Sequence, residues 1–104
     1  MRVKYSDLKN KRIFVTGGGS GIGASIVDHF CEQGSEVYFV DINLKESTKL
    51  LNKIKKNKFR TPTFIECNLL DINKLEKTIK NIIKKKGPIH ALVNNAANDD
   101  RHST

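Results

Sequence analysis

Five of the seven residues from position 17 to position 23 are glycine, and they join two unlike patterns. Before them, Arg12–Thr16 (RIFVT) reads as a buried strand. After them, Ile22, Ile26 and Phe30 recur at spacing four with Ala24, Val27 and Cys31 alongside, which is the period of an amphipathic helix. Gly34 is the natural stop for that helix, since glycine takes a positive φ without a Cβ clash. A strand that runs through glycines into a helix has a physical use. The first N–H groups of the helix lack intrahelical partners and sit at the positive end of its dipole. Bare positions at Gly17, Gly19, Gly21 and Gly23 let a pyrophosphate reach them, and Gly23 also lets the helix pack close to the sheet. A plain turn would use glycines too, so the loop needs a partner before it means more.

That partner is Asp41. Residues 36–41 (EVYFVD) read as a second strand that ends on this acid, about the distance past the loop at which a carboxylate reaches a ribose 2′-hydroxyl. Both features fall at C-terminal ends of strands, where open α/β sheets bind ligands. A surface carboxylate at a strand end is the plain alternative.

The rest of the chain continues the alternation. Asn43 and Glu46 form a near capping box that opens a second helix, predicted to run to about Asn57. Residues 62–67 (PTFIEC) read as a third strand. Asp71 caps a third helix whose apolar face is Ile72, Leu75, Ile79, Ile82 and Ile83, with Lys74, Lys77, Lys80 and Lys84 on the solvated side. Gly87-Pro88 ends it, and residues 89–95 (IHALVNN) read as a fourth strand in which His90 is structural. The order β-α-β-α-β-α-β at this spacing implies right-handed crossovers and a parallel sheet, an α/β fold of the Rossmann type. Residues 96–104 are a polar tail.

Composition narrows the class. The 104 residues suit one small domain. Residues 1–11 have no apolar core of the signal-peptide kind, and every apolar run is strand-sized, so the reading is a cytoplasmic chain with no membrane segment. Cys31 and Cys67 each fall inside an apolar pattern and read as reduced core thiols. The net charge of +8 raises nucleic-acid binding as an alternative, but the lysines are spread along helices and no reading motif accompanies them.

Two motifs carry a family resemblance. Thr16-Gly17-Gly18-Gly19-Ser20-Gly21-Ile22-Gly23 resembles the TGxxxGxG fingerprint of the short-chain dehydrogenase/reductase family, and Asn94-Asn95-Ala96-Ala97 resembles its NNAG segment at the end of the fourth strand. The resemblance covers essentially the whole chain and implies a sheet in the order 3-2-1-4. It implies that Gly17, Gly19, Ser20, Gly21 and Ile22 surround the pyrophosphate and its ribose. Asp41 would bind the adenosine ribose, with Ile42 beside the adenine. Asn68 and Leu69 would meet the adenine ring, Asn95 and Ala96 would lie near the nicotinamide ribose, and Asn94 would tie the central strands. Two positions depart from the pattern: Asn68 stands where the family has Asp, and Ala97 where it has Gly. NAD is expected over NADP, because Asp41 repels a 2′-phosphate and the loop holds no cation, Lys45 being the nearest.

A narrower resemblance, in residues 5–12 (YSDLKNKR), Val40-Asp41-Ile42 and residues 94–102 (NNAANDDRH), is to NAD-dependent aldose dehydrogenases that oxidise sugars such as xylose at C1. The family's catalytic Ser and Tyr-x-x-x-Lys pair lie beyond the fourth strand, and nothing after Asn98 supplies them. Residues 1–104 thus read as an incomplete dinucleotide-binding domain, a fragment or a truncated gene product, inactive alone and without catalytic residues of its own. A small-molecule substrate and homo-oligomeric relatives are implied only for the completed protein. Tyr5-Ser6-Asp7-Leu8-Lys9 does satisfy Tyr-x-x-x-Lys, but it precedes the first strand and should meet the sheet at the wrong edge. Asp99, Asp100 and His102 could be read as a metal site, but they fit a solvated loop better. A non-catalytic nucleotide-binding module remains the other alternative.

Overall fold

The computed structural model describes residues 6–95. After a 3₁₀ turn at Ser6–Leu8 come β1 (Arg12–Thr16), α1 (Gly21–Glu32), β2 (Glu36–Asp41), α2 (Leu44–Lys56), β3 (Thr63–Glu66), α3 (Ile72–Lys86) and β4 (Ala91–Asn94). The four strands form one parallel sheet in the order β3-β2-β1-β4, as expected. The chain moves outward from β1 through β2 to β3 and then returns to the other side of β1. The direction of winding therefore reverses between β1 and β4, and the glycine loop leaves β1 at that point.

Strand alternation sends neighbouring residues to opposite faces. Ile13, Val15, Val37 and Phe39 pack with Val27 and Cys31 of α1 and Leu50 and Ile54 of α2. Phe14, Tyr38 and Val40 face the other way, with Cys67, Ile82 and the partly buried Leu75 and Ile79. The two cysteines are free and lie in these separate clusters, on opposite sides of the sheet. Burial pushes the Cys31 thiol up to about 12, so it stays protonated and unreactive. No helix among the described residues is long and apolar enough to cross a membrane.

The helix ends follow the predicted chemistry. Asn43 Oδ1 accepts the Glu46 N–H at 3.0 Å, and Asp71 Oδ1 accepts the Lys74 N–H at 3.1 Å. Gly34 sits at φ 84° and Gly87 at φ 106°. On α3, Lys77, Lys80 and Lys84 are exposed, while the exposed Lys74 also donates through Nζ to the Glu66 carbonyl at 2.7 Å.

Two strands are shorter than expected. Pro62 has no N–H for the ladder and precedes β3. Cys67 follows β3, though its N–H still donates to the Asp41 carbonyl at 3.1 Å. At the other side, β4 begins at Ala91 because the His90 side chain takes the place of a ladder carbonyl. Its Nδ1 accepts the Arg12 N–H at 2.8 Å, while the His90 N–H donates to the Arg12 carbonyl at 2.8 Å.

An ion-paired cluster holds the N-terminal edge. Glu36 Oε2 accepts from Arg12 Nε at 3.0 Å and from the Tyr38 hydroxyl at 2.6 Å, and Arg60 approaches Oε1 at 3.7 Å. Arg12 Nη1 also donates to the Pro88 carbonyl at 2.8 Å. The hydrogen bond from Arg12, with further help from Tyr38 and Arg60, holds the Glu36 carboxyl below the usual range. A depressed folded-state pKa adds stability that is present above the unfolded value and lost as pH falls through the folded one. Denaturation curves should therefore show Glu36→Gln less stable than wild type at pH 7, with the gap closing on acidification below about pH 4. A gap that stays constant across that range would contradict the assignment.

Candidate functional site at the C-terminal edge of the sheet

The glycine loop crosses from β1 toward β2 and α2, held by its own backbone. Gly17, at φ 67°, donates its N–H to the Val40 carbonyl at 2.8 Å, and Gly18 donates to the same oxygen at 3.3 Å. The Gly19 N–H then donates to Asp41 Oδ2 at 2.8 Å. The acid singled out by sequence distance is therefore joined directly to the loop it was matched with. Its other oxygen, Oδ1, accepts the Asn43 N–H at 2.8 Å, so the carboxylate is fixed at both ends. Each oxygen still has acceptor capacity, since an ionised carboxylate offers about four lone-pair sites.

Three glycines are required for different reasons. At Gly19, a Cβ would overlap the Ser47 hydroxyl and come within 2.9 Å of Asp41 Oδ2. At Gly23, it would overlap the Gly17 carbonyl oxygen, a close contact of the helix with the glycine loop where the sequence suggested close packing on the sheet. At Gly21, φ is 59° and a Cβ would meet nothing within 4 Å, so the loop is bare and open there. Ser20 is the N-cap of α1, exposed and extended, and its side chain makes no capping bond.

Hydrogen bonds from the end of β4 complete the arrangement. Thr16 Oγ1 donates to Asn94 Oδ1 at 2.8 Å, tying β1 to β4. Asn95 Nδ2 donates to the Gly17 carbonyl at 3.1 Å and so braces the loop from the far side. Around this edge stand exposed apolar side chains: Ile22 at 74%, Ile42 at 62% and Leu70 at 87% relative exposure. They line the rim on which a flat aromatic ring could lie. Asn68 is exposed, and its Oδ1 accepts the Leu70 N–H at 2.9 Å in a local turn. Leu69 is half-buried against the cluster that packs under α3, and Leu70 beside it is exposed.

Sequence reasoning missed Ser47. It lies in register with Leu50 and Ile54 on the buried stripe of α2, so its burial was legible even though its neighbours were not. Ala96 lies outside the described residues, as do Tyr5, Ala97, Asp99, Asp100 and His102. Lys9, the second member of the Tyr5-x-x-x-Lys9 match, sits beside Gly34 at the opposite edge of the sheet, where Ser35 Oγ donates to the Leu8 carbonyl at 2.7 Å. Among the described residues, no group of three or more His, Cys, Asp or Glu side chains could hold a metal ion.

Fold and loop together define an α/β protein of the Rossmann type with its glycine loop at the topological switch point. Comparison with known proteins makes the assignment particular. The family model for short chain dehydrogenases matches residues 11–104, and the chain belongs to that family. It is 39% identical over 100 residues to the probable galactose dehydrogenase of Rhizobium meliloti, covering 96% of this chain and 39% of that protein. It is 41% identical over 98 residues to D-xylose 1-dehydrogenase of Caulobacter vibrioides, covering 94% of this chain and 38% of that protein. Among solved structures, the citronellol catabolism dehydrogenase of Pseudomonas aeruginosa superposes with a TM-score of 0.74 at 28% identity, covering 83% of this chain and 36% of that one. A short chain dehydrogenase from Mycobacterium smegmatis shares the fold with a TM-score of 0.75 at 22% identity, covering 88% of this chain and 39% of that one. The chain thus spans about two fifths of the length of the curated relatives it matches. It corresponds to the NAD(P)-binding part of an oxidoreductase fold.

Proposed function

We propose that residues 1–104 form the NAD-binding unit of a dehydrogenase that oxidises an aldose at C1. The observation that carries the cofactor reading is the Gly19 N–H to Asp41 Oδ2 hydrogen bond, because it puts a bare helix N-terminus and a fixed carboxylate at one spot. The residues present suit a dinucleotide. The open position at Gly21 leaves room for a phosphate, and the spare lone pairs of Asp41 suit a ribose diol. In this reading the backbone at Gly17, Gly19, Ser20, Gly21 and Ile22 binds the pyrophosphate. Asp41 accepts the adenosine ribose hydroxyls. Ile42, Asn68 and Leu69 border the adenine, with Leu70 supplying exposed apolar surface beside them. Asn95 and Ala96 lie toward the nicotinamide ribose, and Asn95 also keeps the loop in shape through Gly17. When bound, the dinucleotide supplies the hydride-accepting ring.

The groups that activate the substrate belong, in this reading, to the part of the relatives' length that residues 1–104 do not span. Tyr5 has no role in proton transfer. The sugar substrate rests on the two relatives named as galactose and D-xylose dehydrogenases. The fold alone serves many alcohols and does not choose among them.

The test uses the protein at its full natural length. NAD⁺ should bind at least about tenfold more tightly than NADP⁺, since like charges juxtaposed at Asp41 cost several kcal/mol. Asp41→Ala should narrow that ratio, and equal or tighter NADP⁺ binding by the wild type would sink the preference. A screen of pentoses, hexoses and aliphatic alcohols with NAD⁺ tests the substrate. Turnover confined to the apolar alcohols would refute the sugar assignment.

A further inference from the structure

Among the described residues two buried side-chain polar atoms make no hydrogen bond, Asp28 Oδ1 and Ser47 Oγ, and Ser47 is the one that meets the glycine loop. Its side chain is fully buried, and its Oγ has no hydrogen-bond partner. A hydroxyl on a helix normally donates back to a carbonyl one turn earlier. Two threonines do so here: Thr48 Oγ1 donates to the Leu44 carbonyl at 2.9 Å and Thr78 Oγ1 to the Lys74 carbonyl at 2.8 Å. Ser47 forgoes that bond and turns toward the glycine loop. There its Oγ stands close enough to overlap a Cβ added at Gly19, and Asp41 Oδ2 lies 2.9 Å from that added Cβ. The hydroxyl and the carboxylate oxygen thus flank one glycine without pairing, and the donor that Oδ2 does hold is the N–H of that glycine.

From this juxtaposition we infer that Ser47 is a positioning residue for the dinucleotide: when the Gly19 N–H turns from Asp41 to a ligand oxygen, the Ser47 hydroxyl takes over as the donor to Oδ2. The inference rests on the proposed cofactor site and adds a residue to it. Leaving a buried hydroxyl unpaired costs the ligand-free protein stability. Pairing it in the complex returns that stability to binding, and it keeps Asp41 pointed at the ribose diol while the loop adjusts. A carboxylate that lost its Gly19 donor with nothing in exchange would bind the diol from a looser position.

The experiment compares wild type, Ser47→Ala, Asp41→Asn and the double variant at full natural length, by calorimetric titration with NAD⁺ and with ADP-ribose and by thermal melting without ligand. Ser47→Ala should weaken both ligands about tenfold, the worth of one hydrogen bond to a charged group. The unliganded melting temperature should hold or rise, because the substitution removes only an unpaired hydroxyl. On the Asp41→Asn background, Ser47→Ala should cost little more. A lower melting temperature with unchanged affinity would make Ser47 merely structural and overturn the inference, as would an equal loss of affinity on both backgrounds. Wild-type binding that Asp41→Asn weakens and Ser47→Ala leaves intact overturns the Ser47 role alone. A wild type that binds neither NAD⁺ nor NADP⁺ sinks the cofactor reading and this one with it.

Discussion

Gly23→Ala is expected to be the most damaging single-methyl change in the described part of the molecule. The added Cβ would overlap the Gly17 carbonyl oxygen and approach Asn95 Nδ2 to 2.8 Å. Overlap with the tip of a flexible side chain is relieved by rotation. Here the obstacle is backbone, and it is pinned from several sides. The Gly17 N–H is bonded to Val40, and its carbonyl accepts from Asn95. Relief therefore requires α1 to lift away from the loop, which would loosen Val27 and Cys31 in the core beneath it. Overpacking of this kind costs about 1–3 kcal/mol and occasionally more, and a rigid backbone obstacle belongs at the upper end.

Gly21→Ala provides the contrast. It adds its methyl to open space, so the penalty is only that of a non-glycine residue at positive φ, about 1–2 kcal/mol. Thermal melting and NAD⁺ titration of both variants test the distinction. Gly23→Ala should lose stability and binding together, whereas Gly21→Ala should lose binding with a smaller drop in melting temperature. A Gly23→Ala protein that melts with the wild type would show that the loop and helix can part without cost, contrary to this account.

The parts of this architecture that follow from local rules were legible in the sequence. Apolar runs of five or six residues, helical stripes and capping residues dictated the element order. The glycine loop and Asp41 stood out because each needs a residue type that few other roles require. The details that escaped were those made by one side chain meeting a distant segment. His90 shortens β4 by offering its own nitrogen to the Arg12 N–H across the sheet, and no periodicity encodes that. Leu69 and Leu70 are adjacent leucines after a strand, and only the packing under α3 decides which of them turns inward. Ser47 sits where helical spacing puts it, but its relation to Gly19 and Asp41 needed the fold to bring α2 over the loop. The Glu36 cluster likewise gathers Arg12, Tyr38 and Arg60 from three places in the chain.

A polypeptide consisting of residues 1–104 alone is expected to self-associate, with β4 as the contact. Among the described residues, β4 pairs with β1 on one side and with no strand on the other. Its free edge presents backbone N–H and C=O groups, which is a template for another strand. Side chains add to the hazard. Leu92 is 60% exposed, and with Ile83, 45% exposed, it borders a hollow lined also by Ile79, Pro88 and Ile89. Natural edge strands are usually guarded by a charge, a proline or a bulge. The four residues of β4, ALVN, carry none of these. The net charge of +8 opposes association at low ionic strength, but its effect fades as salt screens it. Light scattering across a concentration series should therefore show growing assemblies, more strongly at high salt. Leu92→Lys, which places a charge on the exposed face without touching the β1 ladder, should shift the sample toward monomer. A longer polypeptide that supplies a strand beside β4 should do the same by covering the edge. A wild-type 104-residue sample that stays monomeric and melts cooperatively at high concentration and high salt would contradict the expectation. Association that Leu92→Lys leaves unchanged would move the contact away from β4.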